Sequence, residues 1–242
     1  MPDNPTIALI TGANKGIGRE TARQLAALGC VVLLGARDEV RGKQAADELA
    51  EHGDVRFLQL DVTDDEQVAA AAHRIEEEFG RLDVLVNNAG VIAERNFTAA
   101  TAQVDQVRAT YETNVFGVVR VMNALLPLLL RSPAPRVVNL SSFLGSLALT
   151  AGSEPKPGVP TLLGYSTSKT ALNALTVQYA AELRDHPIKI NSADPGYVST
   201  DLNRHTGDKT VEQGAAVVVR LATLAADGPT GGFFGEHGEV PW

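Results

Sequence analysis

The chain has 242 residues, 44% hydrophobic and 21% charged, with 21 lysines and arginines against 29 aspartates and glutamates for a net charge of −8. That is enough chain for one sizeable core, with an ordinary soluble composition and a charge balance that excludes nucleic acid as the main partner. Its single cysteine cannot pair internally, no apolar signal core opens the chain, and the longest apolar stretch, residues 124–130, is far below the roughly 20 residues of a membrane span, so a cytoplasmic protein without membrane partners is expected.

The first predicted strand, residues 7–10, runs into Thr11-Gly12-Ala13-Asn14-Lys15-Gly16-Ile17-Gly18 and then a helical segment, 16–28. A strand, a glycine-rich turn and a helix N-terminus in that order form a phosphate cradle. Gly12 turns the chain, Gly16 lets a pyrophosphate approach the backbone, and Gly18 lets the helix pack closely on the strand. A second strand, 31–34, follows Cys30, which reads as a small buried hydrophobe. That strand leads into Gly35-Ala36-Arg37-Asp38. An NAD binder usually places a carboxylate there for the ribose 2′-hydroxyl; Ala36 occupies the position instead. Lys15, Arg37 and Arg41 supply donors for a 2′-phosphate, so NADP(H) is the expected cofactor, unless these are merely surface charges. Asp38 opens the next helix, 39–51.

A third strand, 55–60, precedes Asp61-Val62. Asp61 is positioned to accept from an adenine amino group, or only to help begin helix 65–79, for which Thr63 is the expected N-cap. The fourth strand, 84–86, ends at Asn87-Asn88-Ala89-Gly90, where small residues let the chain pass under a flat ligand and the amides tie neighbouring strands. A long helix, 102–130, contains Asn114, a poor helix former that predicts a local break able to seat a water. The fifth strand, 137–140, ends in Asn139-Leu140-Ser141-Ser142, where a serine hydroxyl can hold a carbonyl oxygen.

Residues 147–164, with Gly152, Pro155, Pro157, Gly158 and Pro160, read as a loop. A strongly amphipathic helix, 165–184, then opens Tyr165-Ser166-Thr167-Ser168-Lys169. Positions i and i+4 share a helical face, so phenol and ammonium project together. The cation, like a positive nicotinamide ring, lowers the phenol's pKa of about 10 and makes it a usable acid and base. A sixth strand, 188–192, leads into a mixed polar stretch, 197–208; helix 211–225 and a strand near 232–234 follow.

Near-continuous apolar strands alternating with helices predict one α/β domain over residues 1–242: a doubly wound, Rossmann-like parallel sheet of about seven strands with helices on both faces. Loops near 143–163 and 197–209 fall at the ligand-binding edge. Phe143, Leu144, Tyr197 and Leu202 are candidate walls for an apolar or aromatic substrate, or core residues. The five histidines lack metal-ligand spacing, so no metal is expected.

With these motifs in this order, nearly the whole chain resembles a short-chain dehydrogenase/reductase. The resemblance implies Asn114, Ser142 (rather than Ser141), Tyr165 and Lys169 as the catalytic set, with Lys169 also on the nicotinamide ribose. It further implies that Pro195-Gly196, with Val198 and Thr200, contacts the nicotinamide. Thr11–Gly18, Ala36-Arg37-Asp38 with Arg41, and Pro195 to Asp201 are most similar to the NADPH-dependent carbonyl reductases. Those carry a long insertion between serine and tyrosine that blocks the usual helix-to-helix dimer. Here the gap is only modestly longer than the family minimum, so monomer and homo-oligomer both stay open. The expected activity is reversible hydride transfer between NADPH and a ketone, aldehyde or quinone. Two alternatives are an NAD(P)-dependent secondary alcohol dehydrogenase, disfavoured by Ala36 and Arg37, and a silent nucleotide sensor, disfavoured by the presence of both Tyr165 and Lys169.

Overall fold

The computed structural model describes residues 5–94, 98–151 and 162–242. Its strands are β1 (Ile7–Ile10), β2 (Val31–Ala36), β3 (Val55–Gln59), β4 (Val84–Asn87), β5 (Arg136–Leu140), β6 (Lys189–Ala193), β7 (Phe233–Gly235) and β8 (Gly238–Glu239). They form one sheet in the order β3-β2-β1-β4-β5-β6-β7-β8. The first seven run parallel; β8 turns back against β7, pairing Phe234 with Glu239. The apolar runs predict about seven strands, and the sheet has eight. A two-residue edge strand carries no apolar run by which to announce itself.

The helices are α1 (Gly16–Ala27), α2 (Glu39–Leu49), α3 (Asp65–Phe79), α4 (Val104–Tyr111), α5 (Gly117–Leu129), α6 (Leu147–Thr150), α7 (Leu163–Glu182) and α8 (Val211–Ala222). Side chains alternate across a strand, so each strand feeds two cores. Ile7, Leu9, Val31 and Leu33 join α3, α5 and α7 on one face. Ala8, Ile10, Val32 and Leu34 join α1, α2 and α8 on the other. Coverage of both faces is why these strands read as continuous apolar runs.

Several local expectations are revised. Asp64, not Thr63, caps α3: its carboxylate accepts from the amides of Glu66 and Gln67. Thr63 turns back and donates to Asp61. The long helix 102–130 is three pieces, with α4 and α5 joined through a π-helical turn, Glu112–Phe116, centred on Asn114. The predicted break is therefore present as an inserted residue in a continuous helix. The loop beginning at residue 147 opens with α6; residues 152–161, including its prolines and glycines, lie outside the described residues.

Helix α7 overturns a broader expectation. Its buried face is not the apolar stripe of an amphipathic helix; it includes Tyr165, Ser168, Lys169, Asn173 and Thr176 beside Gly164, Leu172 and Ala180. Polar groups dock it. Asn87 donates to the Asn139 side-chain oxygen at 2.8 Å, Asn139 donates to the Thr176 hydroxyl at 2.9 Å, and Thr176 shares a 2.8 Å hydrogen bond with Ser192. Ser141 donates to Asn173 at 2.7 Å. The chain of bonds runs from β4 through β5 to Thr176 on α7 and ends at Ser192 on β6. Buried polar networks like this hold a unique arrangement only while every member is satisfied. Replacing Asn139 with alanine strands the Asn87 donor and is expected to lower stability by about 1–3 kcal/mol, measured by urea unfolding; an unchanged midpoint would contradict the network.

Candidate active site

The sheet order reverses between β1 and β4, which opens a crevice at their carboxyl ends. The glycine loop lies there. Gly12 and Gly16 take the left-handed region, with φ of +63° and +58°. A Cβ on Gly12 would come within 2.9 Å of the Ala89 Cα, so this turn and the Asn88-Ala89-Gly90 segment are in direct contact. Gly18 is needed for a different reason than expected. A Cβ there would fall 2.4 Å from the Asn88 amide nitrogen, which donates to the Thr11 and Gly12 carbonyls at 2.7 and 3.1 Å. Gly18 thus makes room for a side-chain tie between loops.

Helix α1 begins with no side-chain cap and no acidic residue in its first turn. Its first amides are left for an anion, and the bare Gly16 leaves the approach open. The residues present fit a dinucleotide's phosphates. Ile17 is half-buried beside this turn, and Thr200 stands over it, with its methyl 3.6 Å from where a Gly16 Cβ would be. Next to the loop, a cleft of about 290 Å³ is lined by Asn14, Lys15, Arg41, Gln44, Ala45, Glu48 and Asp201. Lys15 is paired with Asp201 at 2.7 Å, and Asp201 also meets His205 at 2.9 Å. These two partners, Lys15 first, hold the Asp201 carboxyl below its usual range. Arg41 leans on Asp38 at 3.6 Å, while the Asp38 carboxylate also caps α2. Arg37, exposed beyond the end of β2, has no side-chain partner among the described residues.

Asp61 accepts from the Thr63 amide and hydroxyl and is half-buried. Val62 is buried against Gly117, where a Cβ would come within 2.8 Å of the valine side chain, and its carbonyl accepts from Arg120. Gly196 has φ +76°. Val198 is buried and bridges Lys209, holding the stretch from Pro195 to Thr200 against the fold.

The four residues implied as catalytic converge from three elements. Ser142, just beyond β5, accepts from the Leu144 amide and lies near enough to the Tyr165 phenol to lower its pKa. Its neighbour Ser141 is committed to Asn173, so the structure separates two serines that the motif alone leaves open. The Lys169 ammonium sits 5.6 Å from the centre of the Tyr165 ring and donates to the Leu140 carbonyl at 2.5 Å. Asn114, in the π turn, accepts from the Val91 amide at 2.9 Å and donates to the Val91 carbonyl and to Ser168, both at 3.0 Å. Ser168 in turn donates to the Tyr165 carbonyl. Gly90 lies between Asn114 and Lys169: a Cβ there would be 3.5 Å from the amide oxygen and 3.7 Å from the ammonium.

The electrostatics correct one expectation. In the protein alone the phenol is not acidified. Burial pushes Tyr165 up to about 12; the Ser142 hydroxyl pulls it down in part, and the Asp194 charge pushes it up further. The same burial brings Lys169 down to about 8. Desolvation penalises whichever form is charged, so it moves acid and base in opposite directions. The ammonium is turned to the Leu140 carbonyl and does not offset the loss of water around the phenol.

Glu94 went unnoticed in the sequence. It is buried, and one carboxylate oxygen accepts from the Tyr165 backbone amide at 2.7 Å, standing in for the side-chain cap that α7 lacks. The other oxygen has no hydrogen-bond partner among the described residues. Gly164 admits it, since a Cβ would fall 2.2 Å from that oxygen. A lone Glu seventy-one positions before its partner leaves no local pattern. Phe143 and Leu144 are half-buried in the turn after Ser142, Leu202 is half-buried, and Tyr197 is 45% exposed. A larger groove, about 510 Å³, runs along α3 and α5 past Phe116 and Arg120 and contains none of these residues. No helix of the described residues is long and apolar enough to cross a membrane.

The family model for short chain dehydrogenases matches residues 6–211. The chain is 37% identical to short-chain dehydrogenase/reductase 1 of Saponaria officinalis, over 97% of this chain and 95% of that one. It is 34% identical to carbonyl reductase [NADPH] 1 of Bos taurus, over 100% of both chains. The NADPH-bound carbonyl reductase from chicken fatty liver superposes with a TM-score of 0.86 at 27% identity, covering 99% of this chain and 100% of that one. By the family match and these identities over nearly its whole length, the chain belongs to the short-chain dehydrogenase/reductase family of oxidoreductases acting on carbonyl and alcohol groups.

Proposed function

We propose that the chain is one NADPH-dependent carbonyl reductase domain of the reducing cytoplasm, acting on an apolar or aromatic ketone, aldehyde or quinone. The observation that carries this reading is the Lys169 ammonium 5.6 Å from the centre of the Tyr165 ring, with the Ser142 hydroxyl beside the phenol, in a crevice whose helix N-terminus is left uncapped. The similarity to carbonyl reductases named for NADPH supports the cofactor. The absence of a carboxylate at Ala36 and the unpaired Arg37 support it from this chain's own residues.

When bound, the dinucleotide supplies the hydride. The protein's part is placement and the proton. The first amides of α1 and Gly16 would hold the phosphates, while Asn14, Lys15, Arg37 and Arg41 would serve the adenosine end. Asp61 and Val62 would hold the adenine, Ile17, Asn88, Ala89 and Gly90 would support the dinucleotide, and Pro195, Gly196, Val198 and Thr200 would hold the nicotinamide. Ser142 orients the substrate oxygen. Tyr165, held at about 12, carries its proton throughout the neutral range. Once the substrate's carbonyl carbon has gained hydride, its oxygen is an alkoxide, a stronger base than a phenolate, so the Tyr165 proton passes to it downhill. Lys169, brought down to about 8, is poised to exchange protons near neutrality. The π turn at Asn114 is where a water joins it to solvent. Phe143, Leu144, Tyr197 and Leu202 form the substrate walls.

Tyr165→Phe removes the proton that this ring donates to the substrate oxygen. We expect kcat for NADPH-dependent carbonyl reduction to fall by about 10²-fold or more, with NADPH affinity nearly unchanged; full activity in this variant would refute the mechanism. Arg37→Ala removes a charge-assisted contact and is expected to raise the Kd for NADPH by about 10- to 100-fold, leaving NADH binding nearly the same. Equal losses for the two dinucleotides in a fluorescence titration would show that Arg37 does not read the phosphate.

A further inference from the structure

Asp194 lies between β6 and the Pro195-Gly196 turn, and neither its motif nor the mechanism above uses it. One of its carboxylate oxygens accepts from two backbone amides, Phe143 and Gly196, each at 3.1 Å. Its own amide donates to Phe234 at 2.8 Å. A single oxygen thus joins the segment that follows Ser142 to the turn at the nicotinamide end of the crevice. An asparagine could accept the same two bonds without a charge. The carboxylate is instead kept where burial disfavours it: desolvation raises its pKa, and the two amides and the charge of Lys209 only offset this in part.

We propose that Asp194 is a positioning residue for carbonyl reduction: its carboxylate fastens the Ser142-Phe143 segment to the Pro195-Gly196 turn and presents a fixed negative charge to the Tyr165 phenol. The inference rests on the reductase reading of this site. The fastening makes the oxygen-holding hydroxyl and the nicotinamide-end turn move as one unit, and sub-ångström placement is what such chemistry is sensitive to. The charge disfavours phenolate and so keeps the proton on the acid until an alkoxide demands it.

The charged groups around these two residues are few. Tyr165 meets the Ser142 hydroxyl, the Lys169 ammonium on its own helix and the Asp194 charge, and the Glu94 carboxylate holds its backbone amide. Asp194 feels Lys209, which is itself paired with Glu236 at 2.6 Å and packs over Gly196. The sign of the effect follows. Removing the negative charge lets the phenol ionise at lower pH, and reduction needs the protonated phenol. The alkaline limb of the rate profile therefore moves down in pH.

The test uses the full chain, NADPH and any ketone that the wild type reduces, followed by nicotinamide absorbance. Asp194→Asn keeps the acceptor and loses the charge: the alkaline limb of kcat/KM is expected to move down by about half a pH unit or more. Asp194→Ala loses both: kcat is expected to fall by about tenfold or more while the Kd for NADPH changes little, and Asp194→Asn is expected to recover most of that loss. A limb in Asp194→Asn that coincides with the wild type, or a wild-type kcat in Asp194→Ala, overturns the proposal. Should Asp194→Ala fail to fold, the Asp194→Asn profile decides alone. A wild type that reduces nothing in a carbonyl panel sinks the reductase reading itself, which is a different result from an active wild type insensitive to residue 194.

Discussion

The docking of α7 against the strand ends is the constraint from which the site follows. Apolar packing would hold a helix in place but tolerate some rotation about its axis. Directional bonds do not. Asn139 to Thr176 and Ser141 to Asn173 fix the helix at two points on one face, and Glu94 fixes its first turn. Gly145 brings the chain so close that a Cβ would lie 2.7 Å from the Lys169 carbonyl carbon. With rotation and depth both set, Tyr165 and Lys169 have one orientation relative to Ser142. The polar cost of burying this face is met by the network itself, which is why each member matters beyond its own bond.

That burial also shapes the chemistry. Water withdrawn from the phenol and the ammonium drives their proton affinities apart, to about 12 and about 8, so that each group favours its neutral form. A proton donor in a dry setting is strong toward an oxygen that gains charge and inert otherwise, because the phenolate it leaves must be stabilised locally. The residues placed to influence that phenolate are Ser142, Lys169 and Asp194, and they do not all act in the same direction.

The cofactor end of the crevice works by the opposite logic. Lys15, Arg37 and Arg41 are exposed and solvated, and two of the three already have carboxylate neighbours. Their contribution is charge at a rim, screened by salt. Placement there comes from backbone: the positive-φ glycines, the uncapped start of α1 and the contact of Gly12 with Ala89. The stretch after Pro195 belongs to both regimes. It reaches Lys15 through Asp201 and the reacting centre through Asp194.

Patterns carried by neighbouring residues were readable without coordinates. Apolar runs and helical spacing yielded the parallel sheet and α3 to the residue; the glycine loop, the Tyr-x3-Lys spacing and the break at Asn114 were equally local. Everything that depended on distant parts of the chain meeting was decided by the tertiary structure. The buried face of α7 is polar because the sheet brings Asn139 and Ser192 to Thr176, with Asn87 bonded in turn to Asn139. Glu94 and Asp194 act on Tyr165 from 71 and 29 positions away. The phenol's high proton affinity was also invisible, since desolvation depends on what surrounds a group, and a sequence states only what precedes and follows it.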